Sequence, residues 1–423
     1  MILHFQNARL IDPEAGTDAP GSLTVKDGLI LAIGEKAPKG ATVIDCGGKC
    51  LAPGIVDLGV KIGEPGERHR ESFRSAGLAA AAGGVTTIIA RPDTSPAIDT
   101  PEVLEFVTRR AAESPVRIRH MAALTKARDG REMTEIGFLR DAGAIAFTDV
   151  FRVSAEAKAI TRAMAYARSL GALVVGHPQD PGLSAGASAT SGKFASLRGI
   201  PAVSPMAERM GLERDLALVE MTGVRYHADQ ITTARSLPAL ARAKAAGLDV
   251  TAGTSIHHLT LNEFDVGDYR TFFKVTPPLR SEVDRLAIVA AVADGQIDIV
   301  CSMHTPADEE SKRLPFEDAA AGAVALETFL PAAMRLYHAG HLGLPDLFRA
   351  MALNPANRLG LPQGRLLPGA PADLVLFDPD APFLMDRFRL RSKSKNTPFD
   401  GARMEGKVLA TYVAGTQVFV SEE

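Results

Sequence analysis

The sequence predicts an α/β fold, a (β/α)₈ TIM-like barrel carrying a small β-sandwich domain built from both termini. Three observations predict it. Eight short apolar runs alternate with helical stretches through the middle of the chain. The two ends lack that alternation and read as strands and tight turns. The length of 423 residues suits one barrel-sized unit and a smaller one. The expected division assigns residues 1–52 and 362–423 to the sandwich and residues 53–361 to the barrel.

At the N-terminal end, SLTVKDGLILAIG (22–34) places Asp27-Gly28 between two apolar runs, a strong short-range hairpin signal. At the C-terminal end, ADLVLFDP (372–379) reads as a strand, and KVLATYVAGTQVFVS (407–421) as a hairpin turning at Ala414-Gly415. Between them the candidate barrel strands are IVDLGV (55–60), VTTIIA (85–90), RIRHMAA (117–123), AIAFT (144–148), ALVVG (172–176), VRYHA (224–228), LDVTA (248–252) and IDIVCS (297–302). A helix is predicted over 154–171, with Ser154 as N-cap and Gly171 as stop; Ile160, Met164, Ala167 and Leu170 share its apolar face, so Met164 reads as core. Another starts at Ser281, with Asp284 in the capping-box position, and ends before Gly295. Residues 178–205, rich in Gly, Ser, Ala and Pro, form a long loop of the kind that is functional or mobile.

Composition narrows the function classes. A net charge of -3 gives no basic footprint for nucleic acid, and no apolar run is long enough to span a membrane. The N-terminus has no signal-peptide pattern, and three cysteines without a CxxC pair fit a reducing, cytoplasmic setting. Cys46 and Cys50 have no second pair to complete a zinc site and read as buried small hydrophobes. In a (β/α)₈ barrel the chemistry sits at the C-terminal strand ends, which directs attention to Gly59–Gly63, Arg91–Asp93, Asp149, His177, Gln230 and Ser302–His304.

The segments at these strand ends resemble the dihydroorotase branch of the amidohydrolase superfamily along nearly the whole chain. PGIVDLGVKIGEPG (53–66), AAAGGVTTIIARPDTSPAID (80–99), LTKARDGREM (124–133), KVTPPLRSEVDR (274–285), GQIDIVCSMHTPADEESK (295–312), NPANRLGL (354–361) and SKNTPFDGARMEGKV (394–408) follow the family in order. The resemblance implies a zinc-assisted hydrolase of a cyclic amide, in which the cation polarises the carbonyl and generates hydroxide.

Against that pattern the site is altered. Gly59 and Lys61 occupy the family's His-x-His pair; a glycine donates nothing, and an ammonium repels a dication. Gln230 stands for the sixth-strand His, with His227 three residues earlier, and Met303 precedes His304 where the family has its metal-binding, proton-shuttling Asp. Asp149 and His177 remain as family ligands, which is too few for a catalytic zinc. Gly63, Asp93 and Thr276 replace the family's substrate-binding Arg, Asn and Asn, and Arg91 stands where Met is usual. A Lys61–Asp149 ion pair is a candidate substitute for the metal's charge. His257-His258 reads as packing and loop support, Arg91 as an ion-pair partner or an anion binder, and DEESK (308–312) as a solvated loop.

The expectation from these losses is a catalytically inactive dihydroorotase homologue. It resembles the non-catalytic dihydroorotase-like subunit that associates with aspartate carbamoyltransferase and scaffolds it in pyrimidine biosynthesis, as a homodimer or a mixed hetero-oligomer. No catalytic residue and no cofactor is then expected, and the remnant pocket comprises Lys61, Arg91, Asp93, Asp149, His177, Gln230 and His304. The alternative is an active dihydroorotase, converting dihydroorotate to N-carbamoyl-aspartate, with a rearranged zinc site such as His177, Asp149 and His304. A third reading is a small-molecule binding module that uses the emptied pocket.

Overall fold

A computed structural model describes residues 2–422. The N-terminal segment forms β1 (Ile2–Asp12), β2 (Thr17–Lys26), β3 (Leu29–Ile33), β4 (Thr42–Asp45) and β5 (Cys50–Pro53). Asp27 and Gly28 both take positive φ, 50° and 82°, as a two-residue hairpin of right-handed twist requires. Lys26 therefore pairs directly with Leu29.

The barrel strands follow as β6 (Ile55–Val60), β7 (Val85–Ala90), β8 (Arg117–His120) and β9 (Leu173–Gly176). An excursion carries the short β10 (Ala189–Thr190) and β11 (Ala202–Val203). The barrel then continues with β12 (Arg225–Ala228), β13 (Val250–Ser255) and β14 (Ile299–Cys301). These pair in parallel as β6-β7-β8 and β9-β12-β13-β14. The gap between the two sets is filled by residues 144–148, which form bridges rather than a regular strand. Phe147 bridges Ala122 on one side and Val174 on the other, and its carbonyl accepts from the Val175 N–H (2.8 Å). The segment is short because it lies between Gly143 (φ 107°) and Val150 (φ 57°), both in conformations that end an extended run. On the opposite side the Ser302 N–H donates to Asp57 Oδ1 (2.8 Å) and the Lys61 N–H to the His304 carbonyl (2.9 Å), tying the last strand to the first.

Strand periodicity sorts the side chains into two layers. Val56, Leu58, Ile89, Met121, Val175 and Cys301 fill the barrel interior, whereas Ile55, Ile88, Val174 and Tyr226 pack outward under the helices. β15 (Leu374–Leu384), β16 (Arg403–Val413) and β17 (Thr416–Val420) return to the N-terminal strands in the order β17-β16-β15-β5-β1-β2-β3, with β4 pairing in parallel with Leu3–Gln6 of β1, ahead of the stretch that β5 pairs. Although β1 and β16 are not neighbours in this sheet, Phe5 and Tyr412 meet edge-to-face at 5.0 Å. The sheet therefore curls around its own apolar core.

Some local expectations change. The helix predicted from Ser154 runs instead over Ala157–Ser169 with no side-chain cap, because the Ser154 hydroxyl donates to the Gly130 carbonyl (2.7 Å). Ser281 caps its helix by accepting from the Asp284 N–H (3.1 Å). Residues 178–205 are a folded excursion holding helices Pro181–Ser184 and Lys193–Arg198 beside the β10–β11 pair. DEESK is not a solvated loop: Asp308 caps a helical turn, and Lys312 is buried with Nζ donating to the Thr271 carbonyl (3.0 Å). Cys46 and Cys50 are buried free thiols, pushed up by burial to about 11 and about 12. Among the described residues, no helix is long and apolar enough to cross a membrane.

Candidate functional site

The C-terminal strand ends open on a cavity of about 160 Å³ whose lining includes Lys61, Arg91, Asp93, Phe151, His257 and Met303, together with Gln230, His258, Thr276 and Thr305. Strand geometry delivers most of these groups. Lys61 and Arg91 are the first residues beyond β6 and β7, and the Arg91 N–H donates to the Val60 carbonyl (2.9 Å), so the two side chains start from neighbouring strand ends.

The cavity is crossed by a chain of charges. Lys61 Nζ lies 2.9 Å from Glu67 Oε2 and 3.8 Å from Asp93 Oδ2. Arg91 reaches Asp93 from the other side, with Nε 3.3 Å from Oδ1 and Nη2 3.4 Å from Oδ2. Arg91 Nη2 also donates to Thr305 Oγ1 (3.2 Å), and the guanidinium lies 5.0 Å from the centroid of the Phe151 ring. The Lys61–Asp149 pair is not formed. Both oxygens of Asp149 are engaged elsewhere: Oδ1 accepts from the Leu124 and Thr125 N–H groups (3.1 and 3.0 Å), and Oδ2 accepts from Thr125 Oγ1 (2.7 Å). Burial nevertheless raises its pKa.

Of the other residues grouped with this pocket in the sequence, Asp149, His177 and His304 separate from it. His177 and Asp149 line a second cavity, and the Phe151 ring stands edge-on to His177 at 5.1 Å. Phe151 thus has Arg91 on one side and His177 on the other. Burial, then Arg280 and Arg91, hold His177 down at about 3, so it is a neutral imidazole. His304 is fully buried and turned away; its Nδ1 accepts from the Ala325 N–H (3.1 Å), and its Nε2 faces Glu71 Oε2 at 3.5 Å. Gln230 does reach the mouth, at φ 61°, with its amide Nε2 near Asp229 Oδ1 (3.3 Å) and Cys301 Sγ (3.4 Å). His227 bonds Thr251 Oγ1 through Nδ1 (2.9 Å) and does not line the mouth.

The family's zinc does not fit this donor set. Gly59 has φ 93°, and a Cβ there would stand 3.1 Å from Met303 Sδ, so the thioether fills the space a ligand side chain would need. Lys61 brings an ammonium to the next ligand position, and Asp149 and His304 are turned to other partners. Among the described residues, no group of three or more His, Cys, Asp or Glu side chains is placed to hold a metal ion.

Sequence reasoning missed three members of the site. Glu67 holds Lys61 from a turn closed by its N–H on the Gly63 carbonyl (2.6 Å). A Cβ at Gly63 would meet the Glu67 carbonyl at 2.3 Å, so this turn excludes the family's Arg. Phe151 carried no signal beyond its place after the fourth strand. His257-His258 does act as packing and support, His258 bonding Ser255 Oγ (2.7 Å) and the Pro277 carbonyl (3.0 Å) and His257 stacking on Phe399 at 6.0 Å, but that reading leaves out the cavity. His257 has no partner on either ring nitrogen and lines the cavity.

A family model described as dihydro-orotase-like matches residues 48–236. The dihydroorotase of Wolbachia sp. subsp. Drosophila simulans (strain wRi) is 38% identical over 420 residues, covering 98% of this chain and 95% of that one. The dihydroorotase of Desulforapulum autotrophicum is 36% identical over 427 residues, covering all of both chains. This chain belongs to the dihydroorotase family. Among solved structures, the L-hydantoinase (dihydropyrimidinase) of Arthrobacter aurescens matches with a TM-score of 0.90 and 26% identity, over 100% of this chain and 96% of that one. The D-hydantoinase of a Thermus species shares the fold, with a TM-score of 0.86 at 22% identity over 100% and 97% of the two chains. The reading as an inactive scaffold subunit is overturned by these relatives, which match from end to end and are dihydroorotases. The family's metal ligands are replaced here, but the cavity keeps charged groups of its own, Lys61, Arg91 and Asp93.

Proposed function

We propose that this chain is a dihydroorotase that opens the ring of dihydroorotate by hydrolysing its cyclic amide at the barrel mouth. The observation that carries this reading is the end-to-end match, at 36–39% identity, to proteins of that activity. The fold likeness to the L-hydantoinase, another enzyme of cyclic amides by its name, supports the same bond class.

Amide hydrolysis needs stabilisation of the negative charge that develops on the carbonyl oxygen, and an acceptor for the proton of the attacking water. Lys61 supplies a fixed cation at the strand end, held from behind by Glu67. His257 supplies a proton acceptor. Burial, reinforced by His304 and Lys312, lowers it to about 4, so at neutral pH its imidazole is uncharged and both ring nitrogens lack a protein partner.

The test is ring opening of dihydroorotate by the purified chain, with a metal chelator present and with Lys61→Met as the control for contaminating host enzyme. The expected outcome is turnover that survives the chelator and falls by roughly 100-fold or more in the variant, the loss typical when one oxyanion-stabilising group is removed. Equal rates in the two proteins would count the turnover as contamination and sink the reading. Turnover abolished by the chelator would mean that a metal binds after all.

A further inference from the structure

Arg91 is the least explained residue of the cavity. It is 2% exposed, so its guanidinium has left water almost completely. A buried guanidinium is stable only when its N–H groups are matched by acceptors, ideally a carboxylate in the plane of the fork. Here the match is poor. Nη1 has no partner at all. The contacts to Asp93, at 3.3 and 3.4 Å, are well beyond the usual length of a charge-assisted pair. Asp93 is also shared with Lys61 at 3.8 Å. One carboxylate thus sits loosely between two cations, and one nitrogen of the Arg91 fork stays unmatched in a residue that lines the cavity. Phe151 covers the guanidinium and Thr305 fixes Nη2, so the fork keeps its position without Asp93.

We propose that Arg91 is the carboxylate clamp of this site, and that Asp93 is an internal stand-in that occupies the clamp until a ligand carboxylate displaces it. The inference rests on the dihydroorotase reading for the identity of the ring, but the clamp itself needs only a cyclic amide that bears a carboxylate. Displacement leaves Asp93 to Lys61, so no charge is stranded. The ring then lies between the Arg91 end of the cavity and His257.

The test compares two rings that differ in the carboxylate and carry no saturated ring amide to be hydrolysed, orotate and uracil. Binding of each to the full chain is measured by calorimetry. In the wild type orotate binds at least tenfold tighter than uracil, the scale expected of one charge-assisted fork. In Arg91→Met that ratio collapses towards one. In Asp93→Asn, which removes the competing carboxylate and keeps the side-chain shape, it widens severalfold. Asp93→Asn decides the question alone if Arg91→Met does not fold. An unchanged ratio in Asp93→Asn, equal binding of the two rings by the wild type, or no binding of either overturns the clamp. The two proposals fail separately. A carboxylate preference without ring opening of dihydroorotate keeps the clamp and removes the hydrolase. Ring opening with a KM that Asp93→Asn leaves unmoved keeps the hydrolase and removes the clamp.

Discussion

Gly59 and Met303 illustrate how one packing contact replaces two metal ligands. Gly59 sits at φ 93°, a region in which a side chain is strained, and its missing Cβ leaves room for Met303 Sδ. Met303 is itself a non-glycine residue at φ 50°, held there by the strand end. A Gly59→Ala substitution therefore meets two separate penalties, backbone strain and the thioether, and about 1–3 kcal/mol of lost stability is expected. In a Met303→Ala background the steric part disappears and only the strain remains. The two substitutions are thus expected to be non-additive by about 0.5 kcal/mol or more in urea denaturation. Strict additivity would show that the thioether does not occupy that space. The sequence made the absence of ligands legible at these positions, because glycine and methionine cannot do a carboxylate's or an imidazole's work. It could not show what fills the gap, since the 3.1 Å approach depends on two backbone conformations that no residue pattern encodes. For the same reason the sequence suggests Asp149 as the partner of Lys61, whereas its partner Glu67 comes from a turn that Gly63 makes possible.

The elements around the mouth are held by buried polar anchors more than by the strands alone. Glu208, on helix Met206–Thr222, accepts from the N–H groups of Thr232 and Thr233 (both 3.0 Å), from Ser236 Oγ (2.7 Å) and from the Thr232 hydroxyl. Its counter-ion is Arg280, whose Nη2 lies 3.4 Å away and whose Nε and Nη1 reach Thr232 Oγ1 (2.9 Å) and Thr190 Oγ1 (3.1 Å). This network fastens the turn after β12 and the folded 178–205 excursion to the same helix. Removing the carboxylate by Glu208→Ala leaves a buried guanidinium unpaired and several donors unmatched, so about 3–5 kcal/mol should be lost. Faster amide exchange across 189–203 should accompany that loss, because Thr190 is the excursion's link to Arg280. Exchange unchanged there would show that the excursion is held by other contacts. At this scale the sequence was most readable where apolar periodicity and turn chemistry agree, as at Asp27-Gly28 and along 55–60 and 85–90. It was least readable where a polar side chain finds a distant partner. Ser154 looked like a cap and bonds Gly130, and Lys312 looked solvated and lies buried against backbone carbonyls.

The whole molecule carries an unusual load of buried titratable groups, and their balance sets how it responds to acid. Five histidines are held neutral, chiefly by burial: His120 and His257 at about 4, and His177, His227 and His258 at about 3. From pH 6.5 downward the unfolded chain protonates its histidines while the folded chain does not, so this group removes stability as pH falls, down to about 3–4. Among the described residues, carboxyls raised by burial run the other way, three of them strongly. Burial raises Asp57 and Glu327 to about 7 and Asp229 to about 6. The folded state keeps their protons after the unfolded state has released them, so these groups remove stability as pH rises from about 4 to about 7. The two sets oppose each other between those limits and part company near pH 4. There the unfolded carboxyls are already about half protonated, which shrinks their contribution, while the histidine difference is still large. Unfolding near pH 4 is therefore expected to take up protons on balance, and the urea midpoint should fall between pH 6.5 and pH 4. Proton exchange measured on unfolding in weakly buffered solution checks the sign directly. Net release at pH 4 would mean that the buried histidines are charged in the folded protein, and His257 could then not serve as the proton acceptor of the barrel mouth.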